Sequence, residues 1–474
     1  MSATLYQFGL NNSVGAAQLT AFFQLLRIDT HVGVSESSLR QRLKQMEAST
    51  VTYQQVCEDS ATVPSSARTV ASDETFFHKL TILVMMDLPS GYILLEKFAV
   101  NRRFETWQAE TDARLSEMGL TVRHAVSDRA SALIKLARDS FGCVAGADLF
   151  HVVYDLGRWL STPLACKTRQ ALAYKHEIQA LLEKEQGKQK HCNHREVGRL
   201  QALVVYATKQ HDTCLAVQQT WKQHRQAVSH CLHPFNLSTG SRQDETTVLT
   251  ILQQEATAIG AFAEKQGIPD PKERLHKFRR QHEDLSQHVG VWWLWINTLL
   301  MELQAEPDLQ AWITDRLMPV VYWHDWAERT QKTTDRKLYR IAWENARQAF
   351  DENAFTQAQS AETVEHWLAW CTDKIRHFQR SSSAVEGRNG YLSQMYHNRR
   401  GLTESRLAAL TVIHNYAKYH PDGSTPASRL YETEFPDLFE WLLKKAEVLP
   451  LPRKRRAKKK SNPLIQKKCP ALSG

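Results

Sequence analysis

Glycine and proline are sparse in this chain, 19 and 15 of 474 residues, which excludes collagen-like and low-complexity architectures. Long apolar runs are missing as well. The most apolar stretch, Val291 to Met301, is interrupted by Asn297 and Thr298 and falls well short of the roughly 20 residues that cross a bilayer. The first ten residues lack a basic stretch followed by an apolar one, so no leader is expected. Cysteines are few and scattered: Cys57, Cys143, Cys166, Cys192, Cys214, Cys231, Cys371 and Cys469 include no CxxC pair. That spacing speaks against a disulfide framework or zinc ribbon and for reduced thiols. Together these absences predict a cytoplasmic chain. Enough apolar material is present to fold, 42% hydrophobic against 23% charged, and the length allows one large core or several domains.

Charge is unevenly placed. The formal net charge is +9, and the segment from Val448 to Gly474 holds Arg453, Lys454, Arg455, Arg456, Lys458, Lys459, Lys460, Lys467 and Lys468 with no acid. The rest of the chain is therefore neutral, and the excess is one local polycation. Its natural partner is a polyanion, nucleic acid or an anionic surface.

Hydrophobic periodicity divides the chain. Ala16, Leu19, Phe22, Phe23 and Leu26 fall at helical spacing, residues 29–33 break the run, and Ser35 caps a second helix carrying Leu39, Leu43 and Met46. This helix-turn-helix pattern over 1–60 presents Ser37, Ser38, Gln41, Arg42 and Lys44, which suit phosphates and base edges if the helix enters a major groove. Residues 61–67 read as a linker. Period-two segments follow at 68–77, 80–86 and 92–98, then a helix at 103–118, a strand at 120–126, a helix at 130–139 and a strand over about 143–153. Residues 164–365 are rich in Gln, Ala, Leu and Trp with helical spacing and few breakers, an all-helical domain whose tryptophans are mostly core. His191, Cys192, His194, Cys214, His230, Cys231 and His233 lie there at irregular spacing, more in keeping with unliganded side chains than with a zinc site. A helical stretch at 366–420 and a C-terminal extension at 421–474 complete the chain.

The order β-β-β-α-β-α-β-α is that of an RNase H-like α/β core, here 67–163 and 366–420, interrupted by the helical insertion. In such a core, carboxylates from the first strand, the fourth strand and a late helix converge. Asp128 follows the fourth strand at the carboxyl end, where α/β sheets place their ligands. Asp73 is chosen over Asp87 as the first acid because it leaves three strands before the helix; Asp87 belongs to a turn with Pro and Gly. Glu74 should face the opposite side of the sheet. Glu386 falls in the first turns of a helix after Ser381, Ser382 and Ser383, with Arg388, Asn389, Arg399 and Arg400 as donors for a phosphate backbone. Three clustered carboxylates would repel one another without a cation, and oxygen ligands suit two Mg²⁺ ions, with Mn²⁺ as a substitute.

The segments Ser72-Asp-Glu-Thr-Phe-Phe77, Met86-Asp-Leu-Pro-Ser-Gly-Tyr-Ile93, Val126-Ser-Asp-Arg129, Asp148-Leu-Phe-His-Val152 and Ser383-Ala-Val-Glu-Gly-Arg-Asn389 resemble the blocks of the DDE transposases of bacterial insertion sequences. The resemblance covers about 67–160 and 366–420. The long interval between Asp128 and Glu386 is similar to that of members with an all-helical insertion, such as the hAT group. The resemblance implies Asp73, Asp128 and Glu386 as the metal-binding triad, with His151 close behind. It further implies double-stranded DNA, as transposon ends and target, a homodimer assembled on that DNA, and a nucleoid-associated bacterial protein without a membrane role. Two other functions fit the same residues: a transposase-derived DNA-binding regulator without catalysis, and a structure-selective nuclease that cleaves without joining ends.

Overall fold

The computed structural model describes residues 1–64, 67–78, 80–188, 193–269, 271–398 and 400–445. The chain divides into two compact units. One comprises residues 1–61 and 392–428 together with the segment beginning at Thr433, and the other comprises Thr62–Tyr391 and Arg429–Glu432.

The first unit is helical. Ala16–Leu25 and Glu36–Asp59 are joined through Arg27, in the left-handed region at φ 55°, and a turn of 3-10 helix at Ile28–Thr30. Ser35 caps the longer helix by accepting from the Ser38 amide at 3.3 Å, satisfying one of the donors that a helix start leaves open. Ala16, Leu19, Phe23, Leu39 and Leu43 pack together with Leu5 and Val34, whereas Phe22 and Leu26 from the same spacing remain exposed. Tyr53 meets Tyr416 and Trp441 edge-on at 5.3 Å each, which fastens the helices Glu404–Ala417 and Leu438–Lys445 to it.

The second unit holds one five-stranded sheet. Its strands are β1 (Ala67–Phe77), β2 (Leu80–Asp87), β3 (Ile93–Ala99), β4 (Thr121–Ser127) and β5 (Val144–Ala147), in the order β3-β2-β1-β4-β5. The first three pair antiparallel; β4 and β5 add parallel to β1. β2, an interior strand, is an unbroken buried run from Ile82 to Met86, as a strand covered on both faces requires. Gly91, at φ 76°, closes the β2–β3 turn in a conformation that side chains resist.

The strand expected over 143–153 is much shorter. β5 ends at Ala147 because Asp148 caps a helix, accepting from the Phe150 amide at 2.9 Å, and that helix runs from Leu149 to Gln186. His151 therefore stands on a helix, and the helical part begins at Leu149 rather than at 164. Leu149–Gln186 pairs with His194–His230, and their core continues without a break from Ala147 of β5 to Phe378. The docking of helix His282–Glu302 on β5 is close. A Cβ on Gly146 would stand 2.6 Å from both His124 and His288, and His288 reaches the Ala147 carbonyl at 2.7 Å. Burial pushes the His288 imidazole down to about 4 and holds His124 well below the usual histidine value, so the pair is packed as neutral rings. The expected segment 366–420 is divided after Tyr391, within the helix Ser383–His397.

Among the described residues no helix is long and apolar enough to cross a membrane.

Candidate functional site

Strand register places the acids. β1 and β4 pair as Ala71 with Val126, and β4 and β5 as Ser127 with Ala147. Carrying each register onward sets Asp73 level with Asp128, and Asp128 level with Asp148, along the carboxyl edge of the parallel strands. Alternation puts Asp73 on the opposite face from Glu74, whose carboxylate is buried and accepts from the Trp107 indole at 3.2 Å. Asp87 is fully buried in the β2–β3 turn, where it accepts from the Ser90 amide at 3.1 Å.

Asp128 is exposed, and its carboxylate accepts from the Ala130 amide at 2.8 Å. Arg129 beside it takes φ 68°, uncommon for a side chain of its size. That conformation is held from the helical part, since Arg129 pairs with Asp284 and donates to the Arg280 carbonyl at 3.1 Å.

Glu386 enters on the first turn of Ser383–His397. Its carboxylate lies 2.9 Å from Nε2 of His151, which is also 3.6 Å from Asp148. One turn further on, Asn389 donates to Asp73 at 2.7 Å. The same helix thus touches the Asp73 side and the His151 side of the site.

The electrostatics register this convergence. Burial, the charge of Glu386 and, more weakly, that of Asp128 push the Asp73 carboxyl up to about 8. Repulsion of this kind is what a bound cation would relieve. Among the described residues, no three His, Cys, Asp or Glu side chains are grouped tightly enough to hold a metal ion as they stand.

Residues 313–458 match a family of unknown function, DUF6399. No curated protein matches the chain. The matched segment takes in Glu386, Arg388 and Asn389 and reaches the first basic residues of the tail, but contains neither Asp73 nor Asp128.

Several expected DNA contacts are otherwise engaged. Arg388 is buried and grips Glu96 of β3 through two hydrogen bonds of 2.7 and 2.6 Å, so it is not a donor facing solvent. Arg400 is half-buried and bound to Glu47 and the Gly9 carbonyl. Both corrections have one cause: a guanidinium near buried carboxylates is drawn into an ion pair. Asn389 is committed to Asp73. Gln41 and Lys44 are exposed and Arg42 half-buried. Arg399 and Arg453, Lys454, Arg455, Arg456, Lys458, Lys459 and Lys460 lie outside the described residues, as do His191 and Cys192. His233 is enclosed by Tyr322, Trp323, Trp326 and Tyr339.

Sequence reading missed Asp148. This buried carboxylate accepts from the Ser382 amide at 3.1 Å and from its hydroxyl, while its own amide donates to the Ser127 carbonyl at 2.9 Å. It therefore ties the Asp128 strand end to the start of the Glu386 helix. The available signal was an Asp directly before an apolar helical run, the mark of an N-cap.

The raised Asp73 value has a sign that can be measured. A carboxyl that holds its proton more tightly when folded favours the folded state at low pH and loses that advantage as pH rises through the folded value. In chelator, the stability of the protein relative to Asp73→Asn should fall between about pH 4 and pH 8, by at most about 1.4 kcal/mol per pH unit. Urea unfolding across that range checks it; parallel curves for the two proteins would remove Asp73 as the cause.

Proposed function

We propose that the chain is a DNA transposase with an RNase H-like catalytic core interrupted by a helical insertion, cutting DNA at element ends and joining the freed ends to target. The observation that carries this is the strand register that sets Asp73 level with Asp128, together with the Glu386 helix that reaches Asp73 through Asn389 at 2.7 Å and His151 through Glu386 at 2.9 Å. The oxygen donors of Asp73, Asp128 and Glu386 and their mutual repulsion suit hard divalent cations. The reading asks the three carboxylates to draw closer around Mg²⁺ or Mn²⁺ than they stand here. Two such ions would stabilise charge on the attacking and leaving oxygens of an in-line displacement.

The chain's own residues have separable parts. Asp73 presents its oxygens from within β1, just past that strand's pairing with β4, and Asp128 from the residue that follows β4. Glu386 comes from a helix whose start is fixed by Asp148, and His151 orients its carboxylate. Asn389 holds Asp73 toward the same space. The exposed Gln41 and Lys44 and the basic tail would add salt-sensitive DNA affinity, and pairing two ends calls for two copies.

The test uses DNA carrying the inverted repeats that flank the coding region, with Mg²⁺ and a target duplex. The expected result is nicking at the repeat ends and strand-transfer products from the wild type, both lost by about a thousandfold in Asp128→Asn. Equal behaviour of the two proteins would leave a DNA-binding regulator. Nicks at branched DNA without joined products would leave a nuclease.

A further inference from the structure

In the helical part of the second unit lies a cavity of about 870 Å³. Its walls hold Arg158, Arg225, Arg329 and Arg380, and neither Asp nor Glu. One-sided charge in a concave site draws anions.

Three of these guanidiniums lack a counter-charge. Arg329 is answered by Asp325 at 3.2 Å. Arg158, exposed, and Arg225, half-buried, form no ion pair among the described residues. Arg380 is only 6% exposed; it donates to the Ser229 carbonyl and to Nε2 of His233 at 3.0 Å, and lies 4.7 Å from the centre of the Trp326 ring. None of those partners is a carboxylate. Burial pulls the Arg380 guanidinium below its ordinary value, and next in weight come Tyr322 and Tyr339, again not carboxylates. A buried cation held by neutral partners alone is costly, and an anion reaching this wall would offset that cost.

The hydroxyls of the lining match the same sign of charge. Ser161 Oγ accepts from the Trp221 indole at 2.8 Å, and Ser381 Oγ accepts from the Ser383 amide at 3.2 Å. Each hydroxyl therefore keeps its own proton to donate. Ser381 and Ser383 also stand at the amino end of the 15-residue helix Ser383–His397, where the aligned peptide dipoles add partial positive charge. Donors and cations line this space, and no negative group opposes them.

Charge and size narrow the ligand. Three unanswered guanidiniums exceed the roughly two negative charges of one phosphate group, and the volume is far larger than one phosphate needs. A DNA duplex is too stiff to carry its phosphates in to Arg380. We infer that this cavity binds a free small molecule bearing two or more linked phosphates, with Arg380 at the inner wall and Arg158 and Arg225 on the more exposed side. The inference goes beyond the catalytic proposal and does not depend on it, because none of the three arginines belongs to the Asp73, Asp128 and Glu386 group and binding requires no cleavage.

The experiment titrates the full chain by calorimetry in EDTA, so that failure of the proposed chemistry cannot affect it. Tripolyphosphate is the probe, compared with inorganic phosphate, adenosine triphosphate and a short duplex. The expected result is one tripolyphosphate bound per chain, more tightly than inorganic phosphate. Arg158→Ala and Arg225→Ala, chosen because these side chains reach solvent and their loss leaves the fold intact, should each weaken binding about ten- to a hundredfold, the worth of one hydrogen bond between charged groups. Tighter binding of adenosine triphosphate than of tripolyphosphate would assign the site to nucleotides, and equal affinity to a bare polyphosphate chain. Four results would overturn the inference: no binding by the wild type, inorganic phosphate bound as tightly as tripolyphosphate, a duplex that displaces tripolyphosphate, or binding that survives Arg225→Ala but is lost when Lys458, Lys459 and Lys460 are changed to Ala, which would place the ligand on the basic tail.

Discussion

Arg388→Ala should lose about 3–5 kcal/mol of folding stability, the usual consequence of leaving one member of a buried ion pair alone. The side chains of Arg388 and Glu96 are 4% and 0% exposed, and both nitrogens of the fork are used on both carboxylate oxygens. Water cannot take over for the missing guanidinium, so Glu96 would remain buried and charged. A double substitution, Glu96→Leu with Arg388→Met, should recover much of the loss because it removes both charges together. Urea unfolding of the wild type and these two variants measures this. DNA affinity provides the contrast. A phosphate contact would take about one unit from the salt slope when removed, whereas a guanidinium committed to Glu96 should leave the slope unchanged. A reduced slope with unchanged stability would return Arg388 to the DNA-facing role that its sequence context suggests.

Arg388 also shows where sequence reading stops. Its segment, Ser381 to Asn389, announces a helix start with Glu386 in its first turn, and Ser383–His397 is that helix. Local signals of this kind depend on neighbours a few residues away. The partner of Arg388 is on β3, almost three hundred positions earlier, and nothing in the spacing of either segment specifies which charge will meet which. The same holds for Arg400 and Glu47. By contrast, Glu74 turning away from Asp73 follows from strand alternation alone, and Asp87 in a tight turn follows from its Pro and Gly neighbours.

The misjudged strand at 143–153 has a different origin. Val144, Ala145, Ala147, Leu149, Val152 and Val153 form a nearly continuous apolar run, which suits a buried strand and the first turns of a buried helix equally well. Only Asp148 marks the change of period. A strand across that cap leaves His151 without a geometric place beside Glu386 and hides the link from Asp148 to Ser382.

Asp148→Ala should therefore affect two quantities. Removing a buried carboxylate that accepts from the Phe150 amide, the Ser382 amide and the Ser382 hydroxyl leaves three donors without a partner, at a cost of roughly 3 kcal/mol or more. The same change frees the start of the Glu386 helix and removes an anion 3.6 Å from His151, so the Glu386 carboxylate is no longer oriented. In the proposed Mg²⁺-dependent cleavage, activity per folded molecule should drop about a hundredfold, the upper range for groups that orient metal ligands. Asp148→Asn, which keeps one acceptor oxygen, should fall between the two. Unfolding curves give the folded fraction, and single-turnover nicking at saturating DNA gives the rate. A lower stability with undiminished activity per folded molecule would reduce Asp148 to a helix cap. A loss of both, graded from Asn to Ala, would show that one buried carboxylate aligns the ends of β4 and β5 with the helix that completes the site.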